Sequence, residues 1–271
     1  MQWRNRRDPP SVTFDVFVHG LAIPAGAHIA GHAWGSSGGG VRECGNLGVV
    51  TLTPSSFLTN VEPSWKRCLE LAWEAFVADC VPVGSVLTDS DGRQVAEGRN
   101  RSQDSHTPEQ DIAGTLVAHA EMNVLAALPP GDYYDHVLWS SLEPCFMCTG
   151  AVLHAHVGGV RYAAPDLVIT GIGDLPKISP WVASRWPNRH GPEDGPTADI
   201  AALLPIAWRI PRSEDKVLAA ARKADPELFD LARSYVNRGT LSGWRTSSLD
   251  HVLDAIWDDL AALGRRRTTG P

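Results

Sequence analysis

Apolar residues recur at Trp65, Leu69, Ala72 and Phe76, the repeat of one helical face, and predict a helix over residues 64–79. The run Val81-Pro82-Val83-Gly84-Ser85-Val86-Leu87 then reads as a strand, and Asp91-Gly92 is a strong turn signal before a second strand at 93–98. A helix over 116–128 follows, stopped by Pro129-Pro130. After it come a short apolar strand at 136–141, a helix ending near Gly158-Gly159, and a strand at 160–164. The order helix, strand, strand, helix, strand, helix, strand predicts an α/β protein, a three-layer α/β/α sandwich around a mixed sheet.

The flanks are less regular. Residues 1–60 form an N-terminal extension in which 13–18 alternate like a strand and 35–40 are a glycine-serine break, a pattern compatible with a small β element. His28 and His32 would share a helical face, but Pro24, Gly26 and Gly31 disfavour a helix there. Residues 61–175 form the core. Residues 176–271 are read as a C-terminal loop and helical extension packed on that core, within one elaborated domain. The breaker-rich stretch 176–196 carries Trp181 and Trp186, which suit either a lid that stacks on a ring or a loop lying on the surface. Beyond it, 213–223, 226–237 and 248–263 read as three helices that cap one side of the core.

The chemistry is concentrated in two strings, His119-Ala120-Glu121 and Pro144-Cys145-Phe146-Met147-Cys148. Cys145 and Cys148 are three apart, so on a helix both thiolates face the same way and reach one ion. Pro144 suits the first position of a helix, where its missing N–H would be unpaired anyway, and Cys145 then begins that helix. The helix N-terminus and a bound metal both lower a thiol's pKa. With the imidazole of His119 the two cysteines make a three-ligand set, the number a catalytic zinc uses while it leaves one position to water. Glu121, two residues beyond His119, does not share its helical face and reads as a carboxylate beside the metal rather than a ligand. Taken singly these residues have plainer readings. A C-x-x-C pair also fits half of a structural zinc knuckle or a redox dithiol. A closed structural site would need a fourth ligand, and the nearest candidates, His154 and His156, lie about two turns along the predicted helix, poorly placed for it.

H-x-E followed by P-C-x-x-C is the signature of the zinc nucleobase deaminases, and every fixed position is present here. Residues from about 64 to 166 resemble the tRNA adenosine deaminase and guanine deaminase branch of the cytidine deaminase superfamily. The likeness also takes in Val81-Pro82-Val83-Gly84, Gly98-Arg99-Asn100-Arg101 and Gly150-Ala151-Val152-Leu153-His154. The resemblance implies hydrolytic deamination of an aminated nucleobase, nucleoside or related heterocycle with release of ammonia. It implies one Zn²⁺ per chain with a catalytic water, held by His119, Cys145 and Cys148, and Glu121 as the proton shuttle. It also implies Asn100 and Ala120 as substrate contacts and a homodimer. Asn100 equally suits a turn residue closing the hairpin. The segment 102–114 is longer than the family usually has and is read as a loop at the pocket mouth or a tolerated surface insertion, with His106 facing either substrate or water.

Charge and composition narrow the substrate. A net charge of −7, from 24 basic and 31 acidic residues, disfavours a protein that binds by neutralising phosphates, so a small molecule is placed ahead of nucleic acid. A tRNA adenosine-to-inosine deaminase is the second reading. A non-catalytic, zinc-stabilised partner subunit is the third, though such a subunit would usually have replaced the glutamate. Arg4 to Arg7 and Arg265-Arg266-Arg267 lie at the termini and read as solvated tails. Of five cysteines, Cys44, Cys68 and Cys80 read as buried thiols, a usage that suits the reducing cytoplasm. No apolar run approaches the roughly 20 residues of a membrane span, and no export signal is visible.

Overall fold

In the computed structural model the described residues are 53–105, 111–212 and 215–268, all within one compact unit. The expectations placed on residues 1–52, including His28, His32, Cys44 and the Arg4 to Arg7 cluster, and on His106 lie outside them.

Two helices open the described chain, α1 (Pro54–Asn60) and α2 (Pro63–Val77). Thr53 and Ser56 close a capping box on α1, and the Glu62 carboxylate accepts the Trp65 N–H at the start of α2, so each helix begins where a side chain satisfies its unpaired amides. The hairpin β1 (Gly84–Thr88) and β2 (Gln94–Arg99) follows. Then come α3 (Ala120–Ala126), β3 (Val137–Leu142), α4 (Phe146–His154) and β4 (Gly159–Ala164). The sheet runs β2-β1-β3-β4 and ends in a short fifth strand, β5 (Asn188–His190). β1 is antiparallel to β2 and β3, while β3, β4 and β5 are parallel. It is the mixed α/β/α sandwich that the alternation of elements predicts.

Side chains alternate across the central strands, and that alternation divides the core. Val86 and Trp139 point to a face covered by α2, where Trp139 meets Trp65 edge-on at 5.0 Å. Leu87 and Leu138 point the other way, onto Val124 of α3 and Val152 of α4. Two glycines let the layers close. A Cβ on Gly84 would lie 2.3 Å from the Cys68 carbonyl oxygen in α2, and one on Gly98 would lie 2.8 Å from that of Ala120 in α3. β2 is thereby held directly against the first turn of α3.

The C-terminal region departs from expectation. Residues 176–196, read as a lid or a loop lying on the surface, carry short elements of secondary structure. They contribute to α5 (Leu175–Ile178), form α6 (Pro180–Ser184) and supply β5. Trp181 is engaged at the surface by His154 and by the Arg185 guanidinium, 4.6 Å above its ring. An unforeseen helix, α7 (Pro196–Arg209), then buries Ile200, Leu203, Leu204 and Trp208 on the α2 side of the sheet. α8 (Asp215–Ala224), α9 (Pro226–Asn237), α10 (Thr240–Trp244) and α11 (Leu249–Thr268) complete that layer. α11 also packs Trp257 against Phe57 of α1, at 5.4 Å. Arg265 and Arg266 belong to α11 rather than to a solvated tail, and Arg266 pairs with Glu227 at 2.6 Å. Among the described residues no helix is long and apolar enough to cross a membrane.

Candidate active site

Both short strings begin helices on the same side of the sheet, but neither ligand stands inside the helix it introduces. His119 is the N-cap of α3 and Cys145 the N-cap of α4, each with extended backbone. The helix expected over 116–128 therefore starts late. The Ala118 carbonyl accepts from the Arg101 N–H at 2.9 Å, which holds residues 116–119 against the end of β2 instead of in a helical turn. Cys145 likewise precedes its helix, with Pro144 one residue further out, because Glu143 N–H still bonds the Ala164 carbonyl and carries the β3–β4 ladder past the strand end. Cys148 lies in the first turn of α4, fully buried.

The three donor atoms form a compact triangle. Cys145 Sγ and Cys148 Sγ are 3.6 Å apart, and His119 Nδ1 lies 3.7 Å from the first and 3.4 Å from the second. A tetrahedral zinc with bonds of about 2.3 Å to sulfur and 2.05 Å to nitrogen separates two sulfurs by about 3.8 Å and sulfur from nitrogen by about 3.6 Å. The observed edges fit that ion. No further His, Cys, Asp or Glu joins the group among the described residues. His156 is occupied instead with Asp132.

Electrostatics favour charge on one of the two sulfurs, that of Cys145. Hydrogen bonding from Cys148, and then from His119, brings the Cys145 thiol down to about 4 against the opposing effect of burial. The bond to Cys145 raises the His119 imidazole above its ordinary value. Its bond to Cys145, together with burial, pushes the Cys148 thiol up while it holds the proton. Glu121 is buried beside the triangle, and that burial raises its carboxyl above the usual range. Its Oε1 accepts from Ser140 Oγ at 2.9 Å, and its Oε2 lies 3.5 Å from Cys148 Sγ.

A cavity of about 140 Å³ opens here, lined by Asn100, His119, Ala120, Glu121 and Cys145. The fold thus brings the predicted ligands, the carboxylate and the two predicted substrate contacts to one place, Cys148 lying just behind the wall, whereas Trp181 and Trp186 do not line it. Asn100 is buried and serves a turn as well, since its Oδ1 accepts from Ser102 N at 3.0 Å and Ser102 Oγ at 2.8 Å. Sequence reasoning missed the rest of the lining, which includes Leu142, Glu143, Asp166, Ile169 and Arg209. The first four follow or end the parallel strands β3 and β4, and the rule that ligands sit beyond the carboxyl ends of such strands would have found them. Arg209, at the end of α7, carried no comparable signal.

Residues 59–164 match the family model described as the cytidine and deoxycytidylate deaminase zinc-binding region. Relatives include a tRNA(Ile)-lysidine synthase of Deinococcus radiodurans, 36% identical over 51% of this chain and 22% of that protein. A tRNA-specific adenosine deaminase of Haemophilus influenzae is 34% identical over 41% of this chain and 62% of its own. A guanine deaminase of Bacillus subtilis is 37% identical over 39% and 65%. The chain spans under two thirds of each of these proteins. The matched segment contains His119, Glu121, Cys145 and Cys148, so the likeness to the cytidine and deoxycytidylate deaminase family takes in the three donors and the carboxylate beside them.

Proposed function

We propose that the protein is a zinc-dependent hydrolase that replaces the amino group of a nucleobase, nucleoside or related cyclic amidine with oxygen and releases ammonia. One observation carries this reading: a three-donor triangle of zinc dimensions shares a cavity with a buried carboxylate that is not one of the donors. His119 Nδ1, Cys145 Sγ and Cys148 Sγ are the atoms that would hold the ion. Bound there, zinc supplies a Lewis acid that makes water nucleophilic near neutral pH.

The chain's own groups do the rest. Glu121 Oε2, the oxygen on the metal side, takes the proton of the attacking water and passes it to the ring nitrogen. With the water oxygen now on the ring carbon, the same carboxylate oxygen takes the remaining hydroxyl proton and gives it to the amine, so that the carbon–oxygen double bond forms, the carbon–nitrogen bond breaks and ammonia leaves. Burial raises the pKa of Glu121 above the ordinary carboxylate value, the direction that helps one group both to accept and to give a proton. Asn100 and the backbone at Ala120 hold the ring in the cavity, and Leu142 and Ile169 exclude water from it.

Incubating the zinc-loaded chain with adenine, guanine and cytosine and their nucleosides, and measuring ammonia, tests the reading. No release from any of them, with zinc bound, would favour the scaffold alternative. The tRNA-specific relatives support a second reading, deamination of an adenosine within tRNA, and the net charge of −7 weighs against it. The same assay with tRNA separates the two. Exposed Leu116 and Val117, just before the first string, and Phe146, within the second, support a homodimer, which light scattering checks. The four described cysteines are free thiols and support a reducing, cytoplasmic setting.

A further inference from the structure

A second cavity, of about 180 Å³, lies against the first. Apart from Leu142, its walls follow the family-matched segment: Leu167 and Val168 from the loop after β4, Ala202 and Ile206 from α7, and Val217 from α8. The two cavities share Leu142, Asp166, Ile169 and Arg209, so those four side chains form the boundary between them. Asp166 and Arg209 are the only charged groups among the described lining residues, and both stand at that boundary. Beyond it the walls are apolar.

The chamber is partly open to solvent, and an apolar recess of this size joined to a reaction cavity suits an apolar occupant. An apolar cavity of about 150 Å³ stays dry and takes up benzene. This chamber therefore has room for a group the size of a phenyl ring. A ribose would bring hydroxyls that need partners when buried, and beyond Asp166 and Arg209 at the boundary the side chains of the walls offer them none.

Resting on the deaminase reading above, we propose that the C-terminal extension builds a substituent subsite, and that the substrate is an aminated heterocycle carrying an apolar group of about phenyl size. The ring lies beside Glu121 and Asn100. The substituent passes Leu142 and Ile169 into the chamber under α7 and α8. Specificity is thereby set by a part of the chain that the family match does not include.

Calorimetry on the zinc-loaded chain compares adenine, guanine and cytosine with 9-benzyladenine, 9-benzylguanine and 1-benzylcytosine. A parallel series on the Glu121→Gln chain keeps each ligand intact. Burying the benzyl group should tighten binding of at least one ring by about tenfold or more. Ala202→Phe fills the chamber and should bring the ratio of benzyl to parent affinity close to one. Val217→Phe does the same from the other wall and serves if the first variant melts early. No benzyl advantage for any ring, or an advantage that survives either folded variant, overturns the proposal. Because the ratio is read from binding, an absence of ammonia release counts against the deaminase reading and leaves the subsite test intact.

Discussion

Ser140 Oγ donates a 2.9 Å hydrogen bond to Oε1 of Glu121, and both side chains are buried. The bond runs from β3 to the first turn of α3 and sets the rotation of the carboxylate, leaving Oε2 on the side of Cys148. A hydrogen bond to a charged group is worth about 1.5–3 kcal/mol. Ser140→Ala should therefore lower kcat by roughly 10- to 100-fold, with KM and zinc content little changed. Steady-state ammonia release and metal analysis check this, and a raised KM with intact kcat would assign Ser140 to binding instead.

Glu121→Gln removes the proton carrier while it preserves shape and the acceptor for Ser140. General acid–base catalysis contributes about 100- to 10,000-fold, so turnover should fall by about a thousandfold with zinc content unchanged at about one per chain. Loss of zinc together with activity would show that the carboxylate is a ligand.

Zinc should also hold the fold together where α3 and α4 meet. The ion would tie two helix N-termini that lie on one face of the sheet, one before β3 in the chain and one after it, and a ligand at a thousand times its Kd stabilises the folded state by about 4 kcal/mol. A chelator should therefore lower the melting temperature by several degrees, and zinc should restore it. Cys148→Ser should melt at the lower temperature with or without chelator. Equal melting of metal-free and zinc-loaded wild-type chain would contradict a bound ion.

The legible part of this protein is the part where spacing itself is chemistry. His119, Glu121, Cys145 and Cys148 sit in short strings whose intervals survive a shift of helix start, so the site assembled although both ligand positions moved out to N-caps. What moved them was a bond between Arg101 and Ala118 and the extension of a parallel ladder at Glu143, both set by tertiary pairing. α7 was illegible for another reason. Its residues 200–208 are an unbroken apolar run, which blurs the amphipathic period, and Pro205 inside it reads as a breaker. With α7 hidden, Arg209 and the chamber beneath that helix were hidden too.

Asn100 has a structural duty and a proposed binding duty, and one variant tests both. Its Oδ1 closes a turn onto Ser102, while the residue lines the cavity that holds Glu121. Two neutral hydrogen bonds contribute about 1 kcal/mol each, so Asn100→Ala should lose about 1–2 kcal/mol in denaturant unfolding. It should also lose about tenfold or more in kcat/KM with zinc retained. The Ser102→Ala chain, lacking only the hydroxyl bond, should lose stability alone. If Asn100→Ala matches it, with full kcat/KM, Asn100 is a turn residue and nothing more.

Asp104 anchors the start of the loop that follows Asn100. Its Oδ2 lies 2.8 Å from Arg99 Nη2 and 2.7 Å from Arg101 Nη1, and Cys80 Sγ donates to its Oδ1 at 3.3 Å. Burial raises the carboxyl's pKa, but the bonds from Arg99 and Arg101 outweigh it and hold the group below the usual aspartate range. A carboxyl with a depressed folded pKa stabilises the protein above its unfolded value of about 3.9, and that contribution fades as pH falls through the folded value. Breaking a fully buried pair costs about 3–5 kcal/mol, and the partial exposure of these arginines puts Asp104→Asn nearer 2 kcal/mol at pH 7. The gap between wild type and variant in urea unfolding should hold steady from pH 7 to pH 5 and narrow below about pH 4. A gap that failed to narrow on further acidification would mean that the arginines do not hold this carboxylate in its charged form.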